Sequence, residues 1–165
     1  MSSHAIYGLL GQISVTFATI EHRLINLLEY LLTKDNCSLV KPYILDDLTI
    51  SRCIQKIRAV SKLRLWDQTV LLDELLAVIC DIDNLRIQRN LFIHGDWFTE
   101  DLTEYATSVT VLDYKPRLDK ETGVWQYLET VRVSDTKLKT MLNEIDNAFQ
   151  ELNTVYDKIR KVELR

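Results

Sequence analysis

The chain has 165 residues, a net charge of −4, 47% hydrophobic residues and 27% charged residues. These values are those of one globular domain, residues 1–165, large enough to bury a core, and they exclude a disordered polyelectrolyte and a protein that coats nucleic acid by bulk positive charge. Four glycines and two prolines are few for a many-turned β architecture, so helices are favoured.

The first helix is predicted over about Ser3–Thr33. Leu9, Ile13, Phe17, Ile20, Leu24, Leu27 and Leu31 recur every three or four positions and form one apolar stripe. A second stripe runs beside it through Leu10, Ser14, Ala18, Glu21, Ile25, Leu28 and Leu32, with Glu21 its one charge. Asn36 to Asp47, with Pro42 and paired aspartates, reads as a loop. A second helix is predicted over about Thr49–Lys62, with Ile50, Ile54, Ile57 and Val60 inward and a basic face of Lys56, Arg58, Lys62 and Arg64 that is ordinarily solvated.

A long third helix is predicted from about Asp67, a plausible N-cap, to His94, with Gly95 placed where a left-handed C-terminal residue is expected. Leu72, Leu75, Ile79 and Ile82 form its inward face, and Arg86, Asn90 and His94 continue the same face. Buried charge is costly unless paired or used, so polarity at the end of a core-facing stripe calls for a second reason. Beyond Trp97 the pattern changes. Tyr105–Tyr114 and Trp125–Val133 alternate, with the polar connector Pro116–Gly123 between them, which predicts a β-hairpin over about 104–133. Ser134 or Asp135 then caps a last helix reaching about Lys161, with Leu138, Met141, Ile145, Phe149, Leu152, Tyr156 and Ile159 inward. The expected fold is mainly α: an up-and-down bundle of about four main helices with a hairpin inserted before the last.

Arg89-Asn90-Leu91-Phe92-Ile93-His94, followed by Gly95, at the end of the third helix resembles the Arg-(polar)-x3-His motif of the HEPN family (higher eukaryotes and prokaryotes nucleotide-binding). That resemblance implies a helical bundle acting as a metal-independent endoribonuclease of toxin–antitoxin or phage-defence systems. It implies Arg89, Asn90 and His94 as catalytic residues and RNA as substrate. It further implies a homodimer whose two motifs share one cleft, and a possible antitoxin or other protein partner. Asp96 stands where some members that pair with a nucleotidyltransferase antitoxin carry a tyrosine, so that mode of control is not implied. The residue types suit the chemistry: an imidazole can move a proton near neutral pH, and a guanidinium can clamp phosphate through two hydrogen bonds. The rival reading is a HEPN-like module without catalysis that binds RNA, a nucleotide or a protein. His94 could also be a cation at a helix C-terminus bonded to terminal carbonyls, and Asn90 a satisfied core amide.

No apolar run reaches the ~20 residues of a membrane span, and the start lacks the basic region of a signal peptide, so a cytoplasmic protein without membrane contact is expected. Cys37, Cys53 and Cys80 are odd in number and widely spaced, and Cys53 and Cys80 fall in apolar helical stretches, which reads as buried reduced thiols. No CxxC and no close histidine spacing is present, and neither a metal nor another cofactor is expected. His22 reads as a surface residue; Trp66 and Trp97 read as core or interface anchors. Arg86 is expected to pair with Glu21 or Asp83, and Glu21 with Arg86 to support the motif rather than react. If Glu21 and Arg86 are partners, the double change to Ala costs less stability than the sum of the single changes; strict additivity in denaturant unfolding argues against the pair.

Overall fold

The structure, a computed structural model, describes residues 3–33, 48–98, 108–113, 117–118, 122, 125–126, 129–162 and 164. It is mainly α, with four helices among the described residues: α1 (Ser3–Thr33), α2 (Ile50–Arg64), α3 (Thr69–His94) and α4 (Asp135–Ile159). Between α3 and α4 lie β1 (Asp96–Trp97), β2 (Ser108–Asp113), β3 (Arg117–Leu118), β4 (Trp125–Gln126) and β5 (Glu129–Ser134). The expected helical bundle with a hairpin before its last helix is therefore present. The expected loop Asn36–Asp47, with Cys37, lies outside the described residues, as does most of the connector Pro116–Gly123.

Local chemistry sets the helix ends. Thr49 is extended and its hydroxyl accepts from the Arg52 amide, while the Leu65 amide closes the other end of α2 on Ser61. Ser134 caps α4, its hydroxyl accepting from the Lys137 amide at 3.1 Å. The expected cap of α3 at Asp67 is corrected. The helix begins at Thr69, and the first backbone bond runs from the Leu72 amide to the Gln68 carbonyl, which puts the cap position on Gln68.

β2 and β5 form the expected hairpin, antiparallel from Ser108↔Ser134 to Asp113↔Glu129. Two strands were not expected in it. β1 joins the outer side of β2, giving the order β1-β2-β5. Trp125 does not extend β5; it lies in β4, paired with β3 as a separate antiparallel pair between β2 and β5.

By their internal contacts the residues fall into two compact units, one of Met1–Val15 with Arg86–Asn143 and one of Thr16–Leu85 with Glu144–Arg165. In the second unit Phe17, Ile20, Leu24, Leu27 and Leu31 are fully buried, as the first α1 stripe predicts. The second stripe is not a core row: Ala18 is exposed and Glu21, Ile25 and Leu32 are half-buried. It lies about 100° around the helix from the first and so falls at the flank of the buried face.

Three helix C-termini and one helix start meet in this unit. Arg64, in the last turn of α2, donates from Nε to the Leu31 carbonyl and from Nη2 to the Leu32 carbonyl, both at 3.0 Å. Helix α1 has no basic residue in its own last turn, so the cation for its terminal carbonyls comes from α2. The Tyr30 ring stands edge-on to Tyr156 at 5.9 Å, and Lys158 of α4 pairs with Glu74 near the start of α3 at 2.6 Å. Arg58 pairs with Asp83 at 3.3 Å, tying α2 to α3. Arg58 and Arg64, expected on a solvated basic face of α2, thus hold the fold together. Among the described residues no helix is long and apolar enough to cross a membrane.

The two described cysteines differ. Cys53 is buried, and burial pushes its thiol up to about 12, against a smaller lowering by Lys56. Cys80 is exposed, which corrects the expectation for it: it sits about 200° around α3 from the buried Val78 and Ile82, on the outer face. Alkylation of the folded protein at pH 8, read by peptide mass mapping, should therefore modify Cys80 rapidly and Cys53 only on unfolding. Equal rates at the two sites would contradict this arrangement.

Candidate functional site

The site builds from the last two turns of α3, within the first unit. Along α3 the side chains of Leu75, Val78, Ile82, Leu85 and Phe92 are buried. Arg86 and Asn90, expected to continue the core-facing stripe, are only half-buried, and His94 is exposed. The buried row instead shifts sideways through Leu85 to Phe92, and Arg89 is the polar residue that interrupts it, four positions after the one and three before the other. The sequence-level choice of row is corrected on this point: an apolar run as continuous as Leu75–Ile82 fits both rows.

Arg89 is half-buried, with its Nε enclosed within the protein. Its Nη1 donates to Asn90 Oδ1 at 3.1 Å. The motif's adjacent arginine and asparagine are therefore bonded to each other, and the amide oxygen orients the guanidinium rather than the imidazole. His94 is the last residue of α3, with its side chain in solvent. Five positions separate Arg89 from His94, which places them about 140° apart around the helix axis. The structure thus brings Arg89 and Asn90 together and directs His94 elsewhere. Glu21 and Arg86 are both half-buried rather than enclosed, and they belong to different units.

What holds His94 at its place is the junction that follows. The Gly95 amide still donates to the Leu91 carbonyl at 2.8 Å, so residue 95 continues the helical bonding and does not adopt the left-handed conformation expected of it. The reason for glycine is space. A Cβ there would collide with the Leu91 carbonyl oxygen, lie 2.5 Å from Val111 Cγ1 and lie 3.0 Å from the Leu112 carbonyl oxygen. The chain then pairs at once with β2, through Asp96↔Leu112 and Trp97↔Val111, and the Phe98 amide donates to the Thr110 carbonyl at 3.0 Å. Trp97 turns back so that its Nε1 donates to the Phe92 carbonyl at 2.9 Å, satisfying one of the terminal acceptors of α3. Trp97 is an anchor, as expected. Trp66, 60% exposed, is not part of a core.

Sequence reasoning missed two residues here. Lys137, on the first turn of α4, holds its Nζ 5.9 Å from the centre of the Phe92 ring. Its neighbour Lys139 instead bonds Asp135 at 3.1 Å, which holds that carboxyl below the usual carboxylate range. A cavity of about 360 Å³ is lined by Asp67, Val70, Glu74, Lys158 and neighbours in the second unit, and includes none of the motif residues. Among the described residues no group of three His, Cys, Asp or Glu side chains is placed to hold a metal ion.

Comparison with protein-family models, with curated proteins and with solved structures gives no match.

Because two of the three atoms facing residue 95 are backbone oxygens, Gly95→Ala should cost about 1–3 kcal/mol of stability, read as a lower denaturant midpoint. Trp97→Phe, which keeps the ring but loses the indole donor, should cost about 0.5–1.5 kcal/mol. A Gly95→Ala protein as stable as the parent would show that the junction does not depend on the missing methyl group.

Proposed function

We propose that this chain is a metal-independent endoribonuclease of the HEPN type, with Arg89, Asn90 and His94 at the point of cleavage and two copies sharing one cleft. The observation that carries the reading is the paired Arg89 and Asn90 at 3.1 Å, with an exposed imidazole on the last residue of the same helix. The guanidinium, oriented by Asn90, binds the scissile phosphate and stabilises charge on the phosphorane. One His94 takes the proton of the 2′-hydroxyl. The freed oxygen attacks phosphorus, the bond to the 5′-oxygen breaks, and a proton is returned to that leaving oxygen. The products are a 2′,3′-cyclic phosphate and a 5′-hydroxyl. A second proton-transfer group is needed, and His94 of a second copy supplies it. The angular separation of Arg89 from His94 within one chain supports that arrangement, since one copy does not point both at a single phosphate. A two-fold pair is the commonest closed assembly. An acidic chain can bind RNA this way because only the shared cleft has to be basic. A setting in toxin–antitoxin or phage-defence systems, with an antitoxin as partner, goes with the same reading.

Purified protein should cut labelled single-stranded or structured RNA in EDTA. His94→Ala and Arg89→Ala should each lower the rate by ~10²–10⁴ with helical content and melting unchanged. Light scattering should give twice the chain mass. Cleavage that stops in EDTA, or persists in His94→Ala, overturns the mechanism. RNA bound but never cut would point to a non-catalytic module, for which the Arg89–Asn90 bond serves equally well.

A further inference from the structure

Arg89 is not the only cation attached to this stretch of α3. Phe92 lies three positions after Arg89, about 60° around the helix from it, and is 1% exposed. What sits over its ring is the ammonium of Lys137, brought from α4 and itself exposed. Three features fix that placement. The backbone amide of Lys137 is bonded to the capping Ser134 hydroxyl, so the residue belongs to an ordered first turn. The nearby carboxylate of Asp135 is engaged by Lys139. Lys137 forms no ion pair among the described residues, and its recorded charge partner is the face of Phe92. The Trp97 indole holds the Phe92 carbonyl, so the residue beneath the ammonium is pinned at its backbone.

We propose that Lys137 is a second phosphate-binding cation of the motif region, contacting the RNA backbone from the exposed first turn of α4 while Arg89 holds the scissile phosphate. The inference rests on the proposed ribonuclease reading and extends it to the substrate's neighbouring nucleotide. A ring face attracts an ammonium without neutralising it, whereas a carboxylate would. The full positive charge therefore remains available to a phosphate. The exposed end of the side chain leaves a path for one. A lysine that merely covers an aromatic ring with its methylenes would need no such unpaired head group.

The test uses the full chain in the His94→Ala background, so that RNA is not consumed, with a fluorescein-labelled single-stranded RNA followed by anisotropy over a potassium chloride series. Lys137→Ala should weaken binding several-fold at low salt. It should also flatten the dependence of log affinity on log salt by about 0.7, the value for one phosphate contact on a single strand. Lys137→Arg should restore both, and Lys139→Ala, whose ammonium is engaged by Asp135, should leave the slope as it was. A structural role alone would shift melting without moving the slope. An unchanged slope in Lys137→Ala, with the parent binding RNA, overturns the role of Lys137 and leaves the ribonuclease reading standing. A parent that binds no RNA overturns both.

Discussion

The end of α3 is fixed by a missing methyl group. At residue 95 the helix runs so close to β2 that only hydrogen fits between the Val111 side chain and the Leu91 and Leu112 carbonyls. From that contact the rest of the region follows. The chain leaves the helix straight into β1, Trp97 comes within reach of the Phe92 carbonyl, and His94 is held as the last helical residue with its ring outward. A loop at this point would leave the imbalance of carbonyls to water and the imidazole to whatever geometry the loop adopted. Here the position of the imidazole is inherited from a sheet.

The second unit solves a different problem with the same means. Helix C-termini carry unpaired carbonyls and a partial negative charge, and α1 lacks its own basic residue to meet them. Arg64 supplies the donors across helices, and Arg23 and Arg160 lie against the Tyr156 ring, at 5.4 and 6.0 Å. Basic residues that look like a surface pattern along α2 are divided by the fold. Arg58 and Arg64 bind protein, while Lys62 is exposed.

Much of this was legible in the sequence because periodicity reports burial. The bounds of α1 and a cap of α4 at Ser134 or Asp135 follow from apolar spacing and side-chain type, with the structure choosing Ser134, and the β2–β5 hairpin follows from alternation. Several of the failures concern partners distant in sequence. A two-residue strand such as β1 is too short to alternate, and its existence depends on β2. Gly95 reads the same whether glycine is needed for its dihedral freedom or for its size, and only the neighbour across the gap decides. Cys80 lies in an apolar run long enough to fit more than one face. Within the motif, residue types and spacing single out Arg89, Asn90 and His94. That Arg89 rather than Arg86 lies on the buried row, and that its partner is Asn90, depends on the rotation of α3 against its surroundings.

The two units are interleaved in the chain, and this bears on how the protein is made. The unit built from Thr16–Leu85 is completed by Glu144–Arg165, so all of Arg86–Asn143 must leave the ribosome before its last wall arrives. At typical synthesis rates that interval is roughly 3–12 s. For its duration the apolar residues of α1 and α3 that end up buried in this unit, Leu24, Leu27, Leu75 and Ile79 among them, wait for the segment that completes it. The unit bearing His94 is interleaved in the opposite sense, its earliest piece being Met1–Val15 and its main piece contiguous. A chain that has emerged from the ribosome only as far as Asn143 would therefore display β1, β2, β5 and the whole of α3 while the second unit still lacked its last piece, a state in which chaperone capture competes with folding.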